Sequence, residues 1–448
     1  MRKEIFYQTL CLLLLSLFLL TTVTTATSQA TAKEKLKFGK VELELLSQVN
    51  ELDKKMQQEG LVYEDKQFTP YLEQLGKSLL TPDDLQLENV TWRFRVFRNP
   101  LVNAFALPNG SIFVNIGLLA LLDDESQLLS ILAHEIVHVR NRHTYLSYLD
   151  SRKKMVAIHV VAAFGTSGGS GALTLVMGQV LQLTMLGYNR KLEKEADLEG
   201  LQMMFTSNHN PSGMTAAFQQ LAKDIEVPLH GEGLLLYSDH PHLKDRIAYI
   251  SETIEKTADK KTIAPNELAA QKSRYLKMCE EVRRYNSKLA IEKGLYRTAV
   301  YNARQAYELN PQAAENIVSL ADAHFALDAR TSEPTAQELS NKGKKETRKL
   351  KSKLTLDEED KALAATPIGK EQQQKNQAEA EKLYRQAIQL APDHAEAYRG
   401  LGELLEKKSQ FAEAITAYRK YLDVRPDAFD RLLITRRIKT LEGKTNNQ

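Results

Sequence analysis

The chain has 448 residues, enough for two or three domains and an ample core. Its 60 Lys and Arg nearly balance 57 Asp and Glu, leaving a formal net charge of +3, so charge gives no ground for a nucleic-acid binder or for an enzyme of acidic substrates.

Residues 1–32 read as a secretory signal peptide. Arg2 and Lys3 precede an apolar run from Leu10 to Leu20, and small residues follow with cleavage positions after Ala26, Ala30 or Ala32. The alternative is an uncleaved anchor, although the run is short for a membrane span. Cleavage leaves Cys279 as the single cysteine, which excludes an intramolecular disulfide and suits a packed apolar role. Residues 33–60 carry a charged helical pattern. A second helical stretch from Tyr63 to Leu80 presents Tyr71, Leu72, Leu75 and Leu79. Residues 92–96 alternate apolar and basic, the pattern of a half-buried strand with Arg93 and Arg95 on a solvated face. Pro108, Asn109 and Gly110 signal a turn, and Ile112 to Asn115 a short strand. Residues 111–115 are expected either as an exposed edge that holds an extended peptide by its main chain, or as an internal strand.

Residues 124–140 form the centre of the pattern. Leu128, Leu129, Leu132, Ile136 and Val139 recur at helical spacing, so the run predicts a buried helix. It contains His134, Glu135 and His138 in the order H-E-x-x-H. Positions i and i+4 share a helix face, so both imidazoles can reach one metal ion while Glu135 lies one residue round, free to act as a base. Two ligands, a base and an open coordination position suit zinc hydrolysis. The third ligand expected is Glu193. Asp197, one turn on, can accept the other ring N–H of a ligating histidine and fix its tautomer. Glu195 is the alternative ligand. Asn141, Arg142 and His143 are expected to continue the metal helix, with His143 turned off the ligand face.

Residues 155–187 are apolar but broken by a glycine-rich stretch at 165–171, so they read as a helical hairpin that packs over the site or touches a membrane. Residues 201–227 predict a helix with Met203, Met204 and Phe205 as core, and a turn at Asn210 and Pro211. A loop over 228–241 carries His240, which can either donate to a tetrahedral oxyanion or occupy the open metal position and suppress activity. Arg246 either stabilises negative charge or braces the site.

The pair His134 and His138, followed by Glu193, Ala196 and Asp197, resembles the HtpX and CAAX-protease type of zinc metallopeptidase. Residues 103–119 are similar to that family's strand block, with Asn109 where members usually carry glycine. His240 and Pro241 with Arg246 and Ile247 are similar to its downstream element. The matches span roughly residues 60–250, and the layout with repeats is most like the periplasmic BepA type. The resemblance implies one Zn2+ per chain on His134, His138 and Glu193. It also implies catalytic work by Glu135, His240 and Asp197, and an endopeptidase acting on misfolded or misassembled exported proteins.

Beyond about residue 280 helix pairs recur with a spacing of 34, as between Tyr384 and Tyr418 and between Pro392 and Pro426, the signature of tetratricopeptide repeats. An earlier repeat ends at Pro311, and the excess before Pro392 maps to a charged insertion over about 329–375. Such stacks make concave grooves for peptide segments or partner proteins. The expected fold is therefore α+β and mostly helical: a signal at 1–32, a zincin-like metallopeptidase domain with a small sheet at 33–265, and an all-α repeat domain at 266–448. Expected partners are unfolded polypeptides and, through the repeats, envelope assembly machinery, with peripheral membrane contact and no nucleic acid. Three function classes stay open: an active envelope endopeptidase, a chaperone or assembly factor with gated proteolysis, and a repeat scaffold with an inert peptidase domain.

Overall fold

The computed structural model describes residues 39–154, 188–207, 209–226, 243–257, 264–328 and 370–445. The expected signal at 1–32, the expected hairpin at 155–187, His240 and residues 329–369 of the expected insertion lie outside them. The chain divides into two compact units, Met1–Gln48 and Val49–Gln448, and the fold below, apart from Lys40–Gln48, is that of the second.

The described chain opens with helix α1 (Lys40–Gln58), strand β1 (Val62–Tyr63) and helix α2 (Phe68–Lys77). Strands β2 (Arg93–Phe97), β3 (Ala104–Ala106) and β4 (Ser111–Asn115) follow, and the four strands form one sheet in the order β1-β2-β4-β3. β2 runs parallel to β4, and β3 returns antiparallel on its other side. The turn between β3 and β4 works because Gly110 takes φ +91°, while the Asn109 side chain accepts from the Ser111 N–H. β4 is therefore internal and fully buried. The edge-strand expectation for residues 111–115 fails, and the edge beside β4 is β3. Arg95 is not left to solvent either: it pairs with the buried carboxylate of Asp53 at 2.5 Å.

Helices α3 (Ile116–Leu121), α4 (Glu125–Arg140), α5 (His143–Lys154), α6 (Arg190–Thr206), α7 (Ser212–Glu226) and α8 (Leu243–Thr257) build the rest of the front core. α4 is buried from Glu125 to Val139, because the sheet, α6 and α7 all pack on it. Asp124 starts it by accepting from the Gln127 N–H, and the Gln127 side chain accepts in return from Asp123. The expected helix over 201–227 is two elements: Met203 and Met204 end α6, a turn follows, and Asn210 accepts from Ser212 at the start of α7.

The repeat array comprises α9 (Pro265–Glu292), α10 (Tyr296–Leu309), α11 (Ala314–Asp328), α12 (Lys370–Leu390), α13 (Ala395–Lys407), α14 (Phe411–Val424) and α15 (Arg431–Thr445). α11 pairs with α12, so the insertion lies inside the turn of one repeat, and its last residues, from Lys370, belong to α12. The 34-residue spacing is visible in packing. Tyr384 and Tyr418 are fully buried on α12 and α14, against Gly400 and Gly402 of α13. α9 serves both cores. Tyr275, Cys279, Val282 and Leu289 join the front cluster, while Ala290 begins the repeat cluster. Cys279 is a free, buried thiol whose pKa burial pushes up to about 12, in keeping with a packed apolar role.

Candidate metal centre

His134 and His138 sit one turn apart on α4, and their Nε2 atoms lie 2.9 Å from each other. Glu193 comes from the first turn of α6, which Asn189 caps by accepting from the Lys191 and Leu192 N–H groups. Its carboxylate reaches both rings, at 3.8 Å from His134 Nε2 and 3.5 Å from His138 Nε2. α6 can approach α4 this closely because Gly200 crosses the α4 backbone. A Cβ there would sit 3.2 Å from the His134 main-chain nitrogen. The three donors are buried and lie within 4.8 Å of one another, the one group of metal-ligand type among the described residues.

The other ring nitrogens are occupied. His134 Nδ1 lies 3.0 Å from Asp197 Oδ1, and His138 Nδ1 lies 2.9 Å from His143 Nδ1. Tyr188 stacks on the His138 ring at 3.8 Å between centroids. Both Nε2 atoms are thereby turned toward Glu193. The arrangement fits a metal bound by two imidazoles and one carboxylate, with supporting groups fixing each ring.

Arg246 of α8 closes the centre. It donates to both oxygens of Asp197, at 2.8 and 2.7 Å, and pairs with Glu193 at 2.8 Å. Its guanidinium lies over the Phe218 ring at 4.4 Å. Tyr249 donates to Asp197 from one turn further along the same helix. Burial pushes the Asp197 carboxyl up, but Arg246 and His134 outweigh it and hold the group well below the ordinary carboxylate range. Burial pulls Arg246 down, and the charges of Asp197 and Glu193 more than restore it. For His143 the compensation falls short: burial and then the neighbouring His134 lower it to about 4 against the weaker opposite pull of Glu193 and Glu199, so it stays neutral at physiological pH.

His134, His138, Glu193 and Asp197 thus meet as the spacing predicts. Glu135 is buried on the same helix, one residue round from the histidine face. Glu195 stands apart from this cluster: it accepts from Asn141 at the helix end. The expectation for His143 is overturned. α4 stops at Arg140, Arg142 takes φ +57°, and a new helix begins at His143, which swings its ring back beneath His138. Asn141 at the helix end was the available signal, since asparagine favours such breaks. Arg246 was weighed only as a brace or a charge stabiliser. Its place on the buried face of α8, with Leu243 and Ile250, marked it as a buried cation in need of carboxylates.

Residues 66–254 match the model of peptidase family M48, and residues 372–430 match a tetratricopeptide repeat. Residues 66–254 form a peptidase family M48 domain. Curated relatives share it. The mitochondrial metalloendopeptidase OMA1 of Schizosaccharomyces pombe is 30% identical over 176 residues, 39% of this chain and 50% of that protein. The beta-barrel assembly-enhancing protease of Escherichia coli K12 is 28% identical over 192 residues, 41% of this chain and 38% of that protein. The human metalloendopeptidase OMA1 is 29% identical over 176 residues, 38% and 33% respectively. The chain spans half or less of these proteins' own lengths. An M48 domain requires a metal, and the buried cluster on α4 and α6 fits one. Among the described residues, no helix is long and apolar enough to cross a membrane.

Proposed function

We propose that the chain is a zinc-dependent endopeptidase of the bacterial cell envelope. Its substrates are misfolded or misassembled exported proteins, recruited through the repeat array. The observation that carries the reading is the convergence of His134, His138 and Glu193, with Asp197 and His143 engaging the outward ring nitrogens. The apolar run after Arg2 and Lys3 and the likeness to the beta-barrel assembly-enhancing protease support the compartment.

A zinc ion held by those three side chains would lower the pKa of a water molecule and polarise a peptide carbonyl. The chain's own residues do the rest. Glu135 accepts the proton of the attacking water and returns it to the leaving amine. Asp197 and His143 hold the two imidazoles in the tautomers that present Nε2. Arg246 keeps Asp197 ionised and holds both Asp197 and Glu193 in place. The substrate is held extended along β3, which packs against α4. Asn103 and Leu107 bond to β4, so the alternation of the ladder turns the main-chain groups of Ala104 and Ala106 away from it, as an edge that receives a peptide strand requires.

The test compares zinc content and casein cleavage in the wild type and Glu135→Gln. The variant is expected to keep its zinc and its fold and to lose about 10²–10⁴-fold in rate. Cleavage at the wild-type rate would remove Glu135 from the mechanism. Absence of a transition metal from active wild type would remove the zinc reading altogether.

A further inference from the structure

The face of α15 turned away from the repeats is the least ordinary surface among the described residues. Ile434, Ile438 and Leu441 pack α15 onto its neighbours. Positions 432, 436 and 439 fall on the opposite side by helical periodicity, and all three are exposed. Phe429, in the turn before the helix, is 90% exposed, Leu432 77% and Leu433 60%. Other exposed large apolar residues are scattered singly, which is normal; these three fall within five consecutive positions.

Cations are interleaved with them. Arg431, Arg436 and Lys439 are exposed, and none has a carboxylate partner among the described residues, whereas nearby Arg437 and Arg419 are paired with Glu406 and Glu442. The Arg431 guanidinium donates to the Pro426 carbonyl. From 427 to 441 the one exposed carboxylate is Asp427.

We propose that this face docks on the surface of an anionic lipid bilayer, with Phe429, Leu432 and Leu433 entering the headgroup and acyl boundary and Arg436 and Lys439 meeting lipid phosphates. Apolar side chains beside unpaired cations are what such an interface selects. Three considerations favour a bilayer over other occupants. The apolar side chains project, where a peptide-binding site would be a groove lined by them. An isologous contact with a second copy would bring Arg436 and Lys439 toward the same cations. A further helix packed on this face would bury those cations without carboxylates. The proposal stands independently of the metal centre.

The test places a reporter in the face. The chain has a single tryptophan, Trp92, which is buried, so Phe429→Trp adds a probe that reads its own surroundings. Full-length Phe429→Trp protein is mixed with vesicles of equal parts phosphatidylglycerol and phosphatidylcholine, or of phosphatidylcholine alone. A blue shift and quenching by brominated acyl chains are expected on the anionic vesicles. Affinity should be at least about tenfold weaker on neutral ones, and salt should weaken it. Arg436→Glu with Lys439→Glu in the same background should lose about tenfold or more. Thermal melting checks the fold, and Arg436→Gln with Lys439→Gln serves if the reversal unfolds. No shift on anionic vesicles overturns the proposal, as does an equal response on neutral lipid. So does a shift that depends on protein concentration alone, which would assign the face to a second copy. Because the reporter sits at residue 429, vesicle binding through the apolar N-terminal segment alone leaves its spectrum unmoved and also counts against the proposal.

Discussion

Helices α4 and α13 are both core elements, yet they are buried for different reasons. Fifteen of the sixteen residues of α4 are buried, and they include Glu125, Ser126, Gln127, Ser130, His134, Glu135 and His138. The buried residues of α13 are alanine, glycine and leucine only, on the sides of the helix that meet α12 and α14. A chemical site places polar groups out of water, and each then needs a partner. A repeat needs only matching shapes at a fixed interval. Substitutions should therefore fail in the front half by orphaning charge, and in the repeats by disturbing volume.

The strongest break is expected at Arg246. It faces Asp197 and Glu193 in a fully buried setting, so Arg246→Leu leaves two carboxylates without their cation. The expected loss is about 3–5 kcal/mol, with failure to retain metal. Denaturant unfolding with and without zinc measures it. A loss no larger than that of an exposed arginine such as Arg436 would mean that the carboxylates are compensated elsewhere. Next comes His143→Ala, which frees His138 Nδ1 but leaves all three ligands. Chelator competition should show metal affinity about 10–100-fold weaker, with little change in unfolding of the metal-free chain.

These two residues also mark where the sequence stopped being informative. His134 with His138, and Glu193 with Asp197, were legible because each pair spans one helical turn, a distance the sequence states directly. So was the 34-residue interval of the repeats. His143 was less so: Asn141 hints at a helix end, but the ring's position depends on the left-handed residue Arg142, and nothing about an arginine announces φ +57°. The strand at 111–115 could be read as a strand but not placed in the sheet. Its neighbours β2 and β3 are set by tertiary pairing, and β3 is three residues long, below what periodicity detects. Local chemistry was readable; the order of strands and the partners brought in by a chain reversal were not.

In the repeats the corresponding break is steric. A Cβ at Gly400 would lie 2.5 Å from the hydroxyl end of the Tyr384 ring, and that end is fixed because the hydroxyl donates to Asp322. Gly400→Ala should cost about 1–3 kcal/mol through overpacking. Zinc content and casein cleavage per folded molecule should not change. A parallel loss of metal would show that the two halves are less separable than their packing styles suggest.

The smallest effect is expected where the two styles meet. Glu125 opens α4, but its carboxylate is claimed from three sides. Tyr71 of α2 donates at 2.7 Å, His209 lies at 2.7 Å, and Arg274 of α9, the helix shared with the repeat array, donates at 2.8 Å. Burial raises the Glu125 pKa, and the bonds from His209, Arg274 and Tyr71 outweigh it and hold the group at about 2, against an ordinary 4.5. A folded-state pKa below the unfolded value contributes stability above the unfolded pKa and loses it as pH falls through the folded one. Wild type should therefore exceed Glu125→Gln in stability at neutral pH, and the gap should close as pH falls from 4.5 toward about 2. Urea unfolding of both proteins across that window measures the gap. A constant difference would show that Glu125 acts through shape, as a repeat residue does. A closing one places the joint between the halves with the charged chemistry of the front domain.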